Sequence, residues 1–447
     1  MKKIIFEIIS SLRTHDLKAD AISFSMQVGA MLLNLLINLL LANIMLPADY
    51  GAFAYSTTLI FVLAGIGTFG TQNLLVREVG AGLAANNLSN SKILLGWSLR
   101  RSIPFVLILI SLFIFIAFQF NLFFRSQNLA SYTFPMLVSL AAVPLLVIIY
   151  INQSYLQGLR KIFSALFAEK IVKPFLFLVA VTILFFSSQE TLFAFNKAAL
   201  INVASFLAAS IILVVSVSRL NKNTAATAPE KHHVDQWTKS SMTFFLFSIV
   251  TLLYLRTDIL CLGFYQSPEQ IGIYNISCRV ADTVSFPLHI LTFGLAPMIS
   301  GLFHSDDKLK LQATVTASTR LIFLLSVIPA LLFIFFGTPI LNLFGKHFEA
   351  GYTSFMILIF ANLINALAGP AGYVLAMTGH ERLAFLSMTV ACLVNIAMNL
   401  VLIPLYGING AAIAVSLAML TWNILIVVFT VKKTGIRPDI FYLLKRK

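Results

Sequence analysis

Apolar residues of this chain occur in long runs that are separated by short polar breaks. Such runs are typical of membrane-spanning helices, because about 20 apolar residues are needed to cross a hydrocarbon core of roughly 30 Å. Only a backbone that satisfies its own hydrogen bonds is tolerated there, which favours helices. The pattern predicts an all-α integral membrane protein with about twelve transmembrane helices. The predicted spans are residues 19–45, 52–76, 101–121, 130–156, 166–187, 193–218, 241–264, 272–297, 316–337, 351–378, 383–405 and 408–431.

The composition agrees with a membrane protein and excludes the soluble enzyme classes. Of the 447 residues, 59% are apolar and 11% are charged, whereas a soluble domain carries roughly 25% charged residues. One oversized core does not explain the surplus, because soluble domains divide beyond about 250–300 residues. In a soluble chain the net charge of +14 would point to nucleic acid. Here the positions of the charges give another explanation, so no nucleic-acid partner is expected.

Basic residues alternate between the two sides of the predicted spans. If both termini are cytoplasmic, 26 of the 31 basic residues fall in inner segments, among them Lys170 and Lys173 at the start of the fifth span. Arg125 and Lys346 fall outside. This bias follows the positive-inside rule at alternate loops. Because one missed helix would invert the pattern midway, the charges favour an even number of spans with both termini in the cytoplasm.

The longest polar stretch divides the chain into two predicted six-helix bundles, residues 1–220 and 240–447, joined by a cytoplasmic linker at 221–239. The halves are weakly similar at one offset of 221 positions, which indicates a parallel repeat and two pseudo-symmetric bundles. Chance agreement in a chain rich in small residues is the alternative. The matched residues are Pro47, Gly51, Phe53, Gly158 and Lys161 with Pro268, Gly272, Tyr274, Gly379 and Arg382.

Five charged residues remain inside predicted spans: Lys197, Arg256, Asp258, Arg279 and Asp282. A charge at mid-helix costs about 2.5–3.5 kcal/mol on insertion scales, so these side chains are expected to face the protein interior or a water-filled cavity. Arg279 and Asp282 share a helix face and are spaced to pair. Arg256, Arg279 and Lys197 are predicted as cavity cations, and Asp258 and Asp282 as coupling or salt-bridge residues. Interhelical salt bridges that only fix the packing are the alternative.

A polar stripe runs along the first predicted span. Gln27, Asn34 and Asn38 are spaced by seven and four residues, which places them on one helix face. The stripe suggests a cavity wall that binds a sugar-like group. Hydrogen bonds between packed helices are an equally good interpretation.

The sequence contains no pattern typical of catalysis. The P-loop GxxxxGK[ST], the HExxH motif, a nucleophile with a histidine and an acid, and a Cys/His metal spacing are all missing from it. The chain is therefore predicted to be neither an enzyme nor a holder of a cofactor or metal ion.

Several segments together resemble the polysaccharide repeat-unit flippases, the Wzx-type branch of the multidrug/oligosaccharidyl-lipid/polysaccharide exporter superfamily. Arg256, Asp258 and Arg279 match charged positions common in that family, whereas Lys197 does not. The segments are LPADYGAFAYSTTLI (46–60), GTFGTQNLLVREVG (67–80), YLQGLRKI (155–162), RTDILCLGFYQSPEQIGIYNISCRVAD (256–282), FGLAPMISGLF (293–303) and LIPLYGINGAAIAV (402–415).

The resemblance implies two helical bundles around a central cavity that work by alternating access. It implies that the substrate is an undecaprenyl-pyrophosphate-linked oligosaccharide, moved from the inner to the outer leaflet of a bacterial cytoplasmic (inner) membrane for the assembly of O-antigen, as in lipopolysaccharide, or of capsule or another exopolysaccharide. A polysaccharide polymerase and a chain-length regulator are the protein partners it implies.

Two other hypotheses remain open from the sequence. The first is a cation-coupled exporter of the multidrug and toxin extrusion kind, which would favour an acidic cavity, whereas the predicted spans hold three bases and two acids. The second is a non-transporting scaffold that assembles polysaccharide enzymes.

Overall fold

The computed structural model describes residues 17–85, 88, 90–119, 133–187, 194–220 and 231–440, and within them all regular secondary structure is helical. The α-helices are α1 (Leu17–Ile44), α2 (Pro47–Gly67), α3 (Thr71–Ala84), α4 (Ser91–Gln119), α5 (Thr133–Leu140), α6 (Ala142–Gly158), α7 (Ile162–Phe167), α8 (Lys173–Ser187), α9 (Phe195–Leu220), α10 (Lys231–Tyr265), α11 (Pro268–Ala281), α12 (Phe286–His304), α13 (Lys308–Asn342), α14 (Tyr352–Ala368), α15 (Ala371–Met377) and α16 (Glu381–Thr434). A π-helical turn (Ala168–Val172) joins α7 to α8, and short 3-10 helices cover Asp282–Ser285 and Lys346–Gly351.

Ten helical segments of the described chain are long and apolar enough to cross a membrane. One of them, α16, has 54 residues and is broken at Gly407, where φ is 57°. At 1.5 Å per residue it measures about 80 Å, enough for two crossings. The interrupted pair α11 and α12 supplies one more. The described residues thus agree with about twelve helices, as the hydrophobic pattern predicts.

Three predicted spans are broken in the structure. Residues 351–378 are predicted as one span, but α14 ends at Ala368 and α15 begins at Ala371, with Gly369 between them at φ of 62°. Residues 272–297 are predicted as one continuous helix, but the chain changes to a 3-10 turn at Asp282 and resumes as α12. Residues 52–76 are predicted as one span, but α2 ends at Gly67 and α3 begins at Thr71. Phe69 and Gly70 between them have φ of 53° and 70°, a left-handed conformation that ends a helix.

The chain forms two compact units. Of the described residues, the first comprises those within Ile22–Arg256 and Ser267–Gly272, and the second comprises those within Thr257–Gln266 and from Ile273 onward, together with residues 17–21. The predicted linker at 221–239 falls partly outside the described residues, which resume at Lys231, and from there its remainder is the beginning of α10.

A close approach of α2 and α11 lies within the first unit. A Cβ atom on Gly51 would overlap the carbonyl oxygen of Pro268 and lie 2.6 Å from its carbon, and one on Gly272 would lie 2.9 Å from the oxygen of Pro47. These four residues form two of the five pairs that match between the halves at the offset of 221 positions. The shared Pro-x-x-x-Gly segments therefore pack against each other, and glycine lets the two backbones touch.

The beginning of α10 is bound to the α2–α3 turn in the same unit. Ser241 donates a hydrogen bond from Oγ to the oxygen of Phe69 at 2.6 Å, and a Cβ atom on Gly70 would lie 2.5 Å from the nitrogen of Phe245. The Arg101 guanidinium lies 4.5 Å from the centre of the Phe69 ring, a cation–π contact. These contacts hold α10 against the α2–α3 turn from the position where its predicted apolar span begins.

Buried polar contacts join helices within the second unit. Ser285 donates to Asn362 Oδ1 at 2.5 Å, and Ser277 donates to the oxygen of Gly351 at 3.2 Å. Ser354 donates to the side chain of Asn409 at 2.7 Å. Such hydrogen bonds contribute about 0.6 kcal/mol each on average between membrane helices, so they set the packing register more than the stability.

Replacing Gly51 with alanine is expected to lower the thermal unfolding midpoint of the purified chain in detergent. The new Cβ would collide with the Pro268 backbone, which is not free to rotate away, and we expect a loss of at least about 2 kcal/mol. Gly96→Ala is the matched control, because nothing lies within 4 Å of its Cβ position. A Gly51→Ala protein as stable as the Gly96→Ala protein would contradict the close helix contact.

Candidate functional site

The helix of the fifth span is interrupted by the π-helical turn Ala168–Val172. Pro174 explains the interruption, because proline has no N–H for the carbonyl of Lys170 and its ring would clash with that carbonyl in a regular helix. The chain responds by widening the preceding turn, and such π-bulges occur frequently at functional sites. Three charged residues, Glu169, Lys170 and Lys173, lie on this turn or directly after it.

The three charged side chains are held differently. Glu169 accepts a hydrogen bond from Lys170 Nζ at 3.1 Å, and the Glu169 side chain is 10% exposed while that of Lys170 is 40% exposed. The Lys173 ammonium lies 4.3 Å from the centre of the Phe206 ring and 5.8 Å from that of Phe177. Cation–π contacts of this kind hold a desolvated ammonium group without neutralising its charge.

Tyr150 of α6 and Arg256 of α10 complete the group. The Tyr150 hydroxyl lies within electrostatic range of both Glu169 and Arg256, and Glu169 and Lys170 act in the same way on Lys173. We call Glu169, Lys170, Lys173 and Arg256 the π-turn cluster. With three cations and one carboxylate its net charge is +2.

The π-turn cluster lies on a helical segment that begins before the predicted span. The sequence predicts a span that begins at residue 166 with Lys170 and Lys173 near its inner end, whereas the segment long and apolar enough to cross a membrane runs from Ile162 to Ser187. Lys173 is therefore eleven residues into that segment, about 16 Å along it at 1.5 Å per residue. A charge this far along an apolar helix is costly unless it has partners.

The polar stripe of α1 lies in the first unit. Asn34 is exposed and donates to the oxygen of Ala30 at 2.7 Å. Asn38 donates to the oxygen of Asn34 and accepts a hydrogen bond from the Tyr50 hydroxyl at 2.7 Å, so its side chain takes part in the packing of α1 against α2. Gln27 is partly buried on the same helix.

The charged residues predicted in spans are divided between the two units. Lys197, in the first turn of α9, and Arg256 lie in the first unit. Asp258, Arg279 and Asp282 lie in the second unit. The arrangement brings Arg256 to the π-turn cluster and assigns Asp258 to a separate environment.

Asp258 is buried and accepts a hydrogen bond from the Tyr274 hydroxyl at 2.9 Å. Arg279 lies in the last turn of α11, and Asp282 begins the 3-10 turn that follows, where its side chain is exposed. Both lie within electrostatic range of Cys278. The described residues contain no group of three metal-binding side chains.

The chain matches two family models. The model described as "Polysaccharide biosynthesis protein" covers residues 17–303, well over half of the chain. The chain belongs to this family. A second model, MatE, matches residues 242–401.

The chain is also similar to a protein that is named as a flippase. The probable flippase AglR of Haloferax volcanii is 24% identical over 177 residues, which are 39% of this chain and 37% of AglR. The chain therefore aligns with little more than a third of that relative.

The solved structures show the fold. The lipid II flippase MurJ in an inward closed conformation superposes with a TM-score of 0.71 at 15% identity, over 92% of this chain and 87% of MurJ. An inward-facing multidrug resistance MATE transporter of the MOP superfamily gives 0.73 at 13% identity, over 96% and 99%. The fold of this family member is thus that of MOP-superfamily transporters.

Replacing Lys173 with methionine is expected to leave the thermal unfolding midpoint unchanged or to raise it. Methionine has a similar length and packs well on aromatic rings, and the change removes the desolvation cost of the ammonium group. Phe206→Ala is the comparison, because Phe206 is 1% exposed and truncation of a buried phenylalanine costs about 3–5 kcal/mol. A similar loss of stability for Lys173→Met would mean that Lys173 serves the packing rather than a ligand.

Proposed function

We propose that this chain is a flippase for lipid-linked oligosaccharides whose diphosphate binds at the π-turn cluster. The observation that carries the proposal is a net charge of +2 on helical segments that are long and apolar enough to cross a membrane, in a member of the polysaccharide biosynthesis family. A charge at mid-helix costs about 2.5–3.5 kcal/mol on insertion scales, so charges kept on such segments indicate a function. An anionic group that must cross the membrane supplies one.

The chemistry of the diphosphate fits the cluster. A pyrophosphate with its sugars does not cross about 30 Å of hydrocarbon unaided, because its desolvation is too costly. Ammonium and guanidinium groups form strong charge-assisted hydrogen bonds with phosphate oxygens, and the cluster offers two of the first kind and one of the second. The lipid tail needs no such site, since it is apolar and stays in the hydrocarbon core of the bilayer.

The membrane potential favours transport in the outward direction. An anion that moves from an inside-negative cytoplasm to the outer face gains about 2.3 kcal/mol per charge per 100 mV. A diphosphate would gain about twice this amount when its charges cross uncompensated. Coupling to an ion at Asp258 or Asp282 remains a proposal that this gradient does not require.

The finer assignments belong to the same proposal. We infer an undecaprenyl-pyrophosphate carrier, a bacterial cytoplasmic membrane with both termini inside, and a repeat unit destined for O-antigen, capsule or another exopolysaccharide, with a polymerase and a chain-length regulator as partners. Arg279 and Lys197 are further cationic candidates, and Gln27, Asn34 and Asn38 are candidates for sugar contacts. The exposure of Asn34 supports the last assignment.

Removal of both lysines of the π-turn cluster tests the function. The double variant Lys170→Ala/Lys173→Ala, reconstituted in liposomes, is expected to move a fluorescent polyprenyl-diphosphate oligosaccharide at least about tenfold more slowly than the wild type, because charge-assisted hydrogen bonds are worth about 1.5–3 kcal/mol each. The measurement is the rate at which the labelled sugar becomes accessible to a quencher outside the vesicles.

Lys161→Ala serves as the control for this experiment, because Lys161 is an exposed lysine just before α7. It is expected to keep the wild-type rate. Equal rates for the double variant and for Lys161→Ala would contradict a role of the cluster, and a wild type that moves no lipid-linked sugar would contradict the flippase itself.

The match of residues 242–401 to the MatE model favours one second candidate, a cation-coupled drug exporter. A cationic drug would be repelled by a site of net charge +2, so we expect that overexpression does not raise resistance to cationic dyes such as ethidium. A resistance gain that is lost on Asp258→Asn would support the exporter and argue against the flippase.

A further inference from the structure

Glu169 is the one carboxylate of the π-turn cluster, and the flippase proposal does not explain it. A fixed negative charge weakens the binding of an anion, so the presence of this carboxylate in the site needs an explanation. We propose that Glu169 is a specificity residue that takes the place of a substrate phosphate: its carboxylate pairs with Lys170 while the site is empty and yields that lysine to the diphosphate when the substrate binds. The inference rests on the proposed function.

The contacts of Glu169 support an exchange of partners. Its carboxylate lies 3.1 Å from Lys170 Nζ and within electrostatic range of Lys173. The Glu169 side chain is 10% exposed, whereas that of Lys170 is 40% exposed. The lysine is thus the more accessible member of the pair, and an incoming phosphate reaches its ammonium group without first displacing buried atoms.

A purely structural role explains the pair poorly. Glu169 and Lys170 are neighbours in sequence, so their ion pair joins no two helices and fixes no packing. Exposed pairs contribute little to stability, and the burial of a carboxylate is costly even when it is paired. Arg77 and Glu78 form a comparable neighbouring pair at 2.8 Å, but with side chains 51% and 37% exposed. The low exposure of the Glu169 side chain, 10%, distinguishes it from that surface pair.

The charge balance indicates what the carboxylate selects. Lys170, Lys173 and Arg256 alone would give +3, which would hold a diphosphate of two charges with one cation in excess. With Glu169 the net charge is +2, equal and opposite to a diphosphodiester. A matched site binds the diphosphodiester in preference to a phosphodiester of one charge and still releases it at the other leaflet, because complementary charge governs specificity more than total affinity.

Binding of short-chain probes tests this role. The full-length protein in nanodiscs is titrated with geranyl-diphospho-glucose, which carries two negative charges, and with geranyl-phospho-glucose, which carries one, and the wild type is expected to prefer the diphosphate. Glu169→Gln is expected to bind both probes about fivefold more tightly or more, because the competing charge is gone, and to flip a lipid-linked oligosaccharide more slowly in liposomes because release is impaired. Glu169→Asp, which keeps the charge, is expected to restore weaker binding and faster flipping.

The matched control is Glu78→Gln, which removes the carboxylate of the exposed pair and is expected to change neither affinity nor rate. Glu169→Gln with unchanged or weaker binding, in a protein with the wild-type unfolding midpoint, would overturn the inference. If the wild type binds no geranyl-diphospho-glucose, or if Lys170→Ala/Lys173→Ala binds it as well as the wild type, the proposed anion site itself is wrong. The two failures are therefore distinguishable.

Discussion

The cost of holding charge among apolar helices is the constraint on which this structure depends. Most basic residues are predicted to avoid that cost by lying outside the apolar spans, whereas Lys170, Lys173 and Arg256 lie on helical segments that are long and apolar enough to cross a membrane. Around the two lysines the described residues provide a proline-induced π-turn, two aromatic rings and a carboxylate, which leave the cluster cationic. We propose that the cluster is stabilised most when a dianion binds.

The repeated Pro-x-x-x-Gly segments provide the other fixed point of the first unit. Gly51 and Gly272 let the beginnings of α2 and α11 touch along their backbones, a contact that any larger residue would prevent. Because Ser267–Gly272 packs with the first unit while Ile273–Lys447 belongs to the second, the contact lies directly before the point where the chain passes from one unit to the other. The π-turn cluster and this glycine contact therefore belong to the same compact unit.

The helical class and the approximate number of spans could be predicted from the sequence, because each long apolar run has about the length that a helix needs to cross a membrane. The interruption of the predicted span 272–297 at Asp282 was missed, although Pro287, in the first turn of α12, was an available signal. Lys170 and Lys173 were placed at the inner end of a span that begins at residue 166, because a charge count treats a lysine at a span's edge as a topology signal. The apolar segment IFSALFA before them was the available signal that the helix begins earlier. The proximity of Arg256 to Tyr150 depends on tertiary packing, which no local pattern reports.

The most direct test of the central claim is a structure of the full-length chain in nanodiscs with a polyprenyl-diphosphate oligosaccharide bound. The quantity to measure is the distance from the phosphate oxygens to the ammonium nitrogens of Lys170 and Lys173. The account predicts hydrogen-bond distances of about 2.7–2.9 Å, with the Glu169 carboxylate withdrawn from Lys170. A diphosphate bound elsewhere, with the Glu169–Lys170 ion pair still at 3.1 Å, would contradict it.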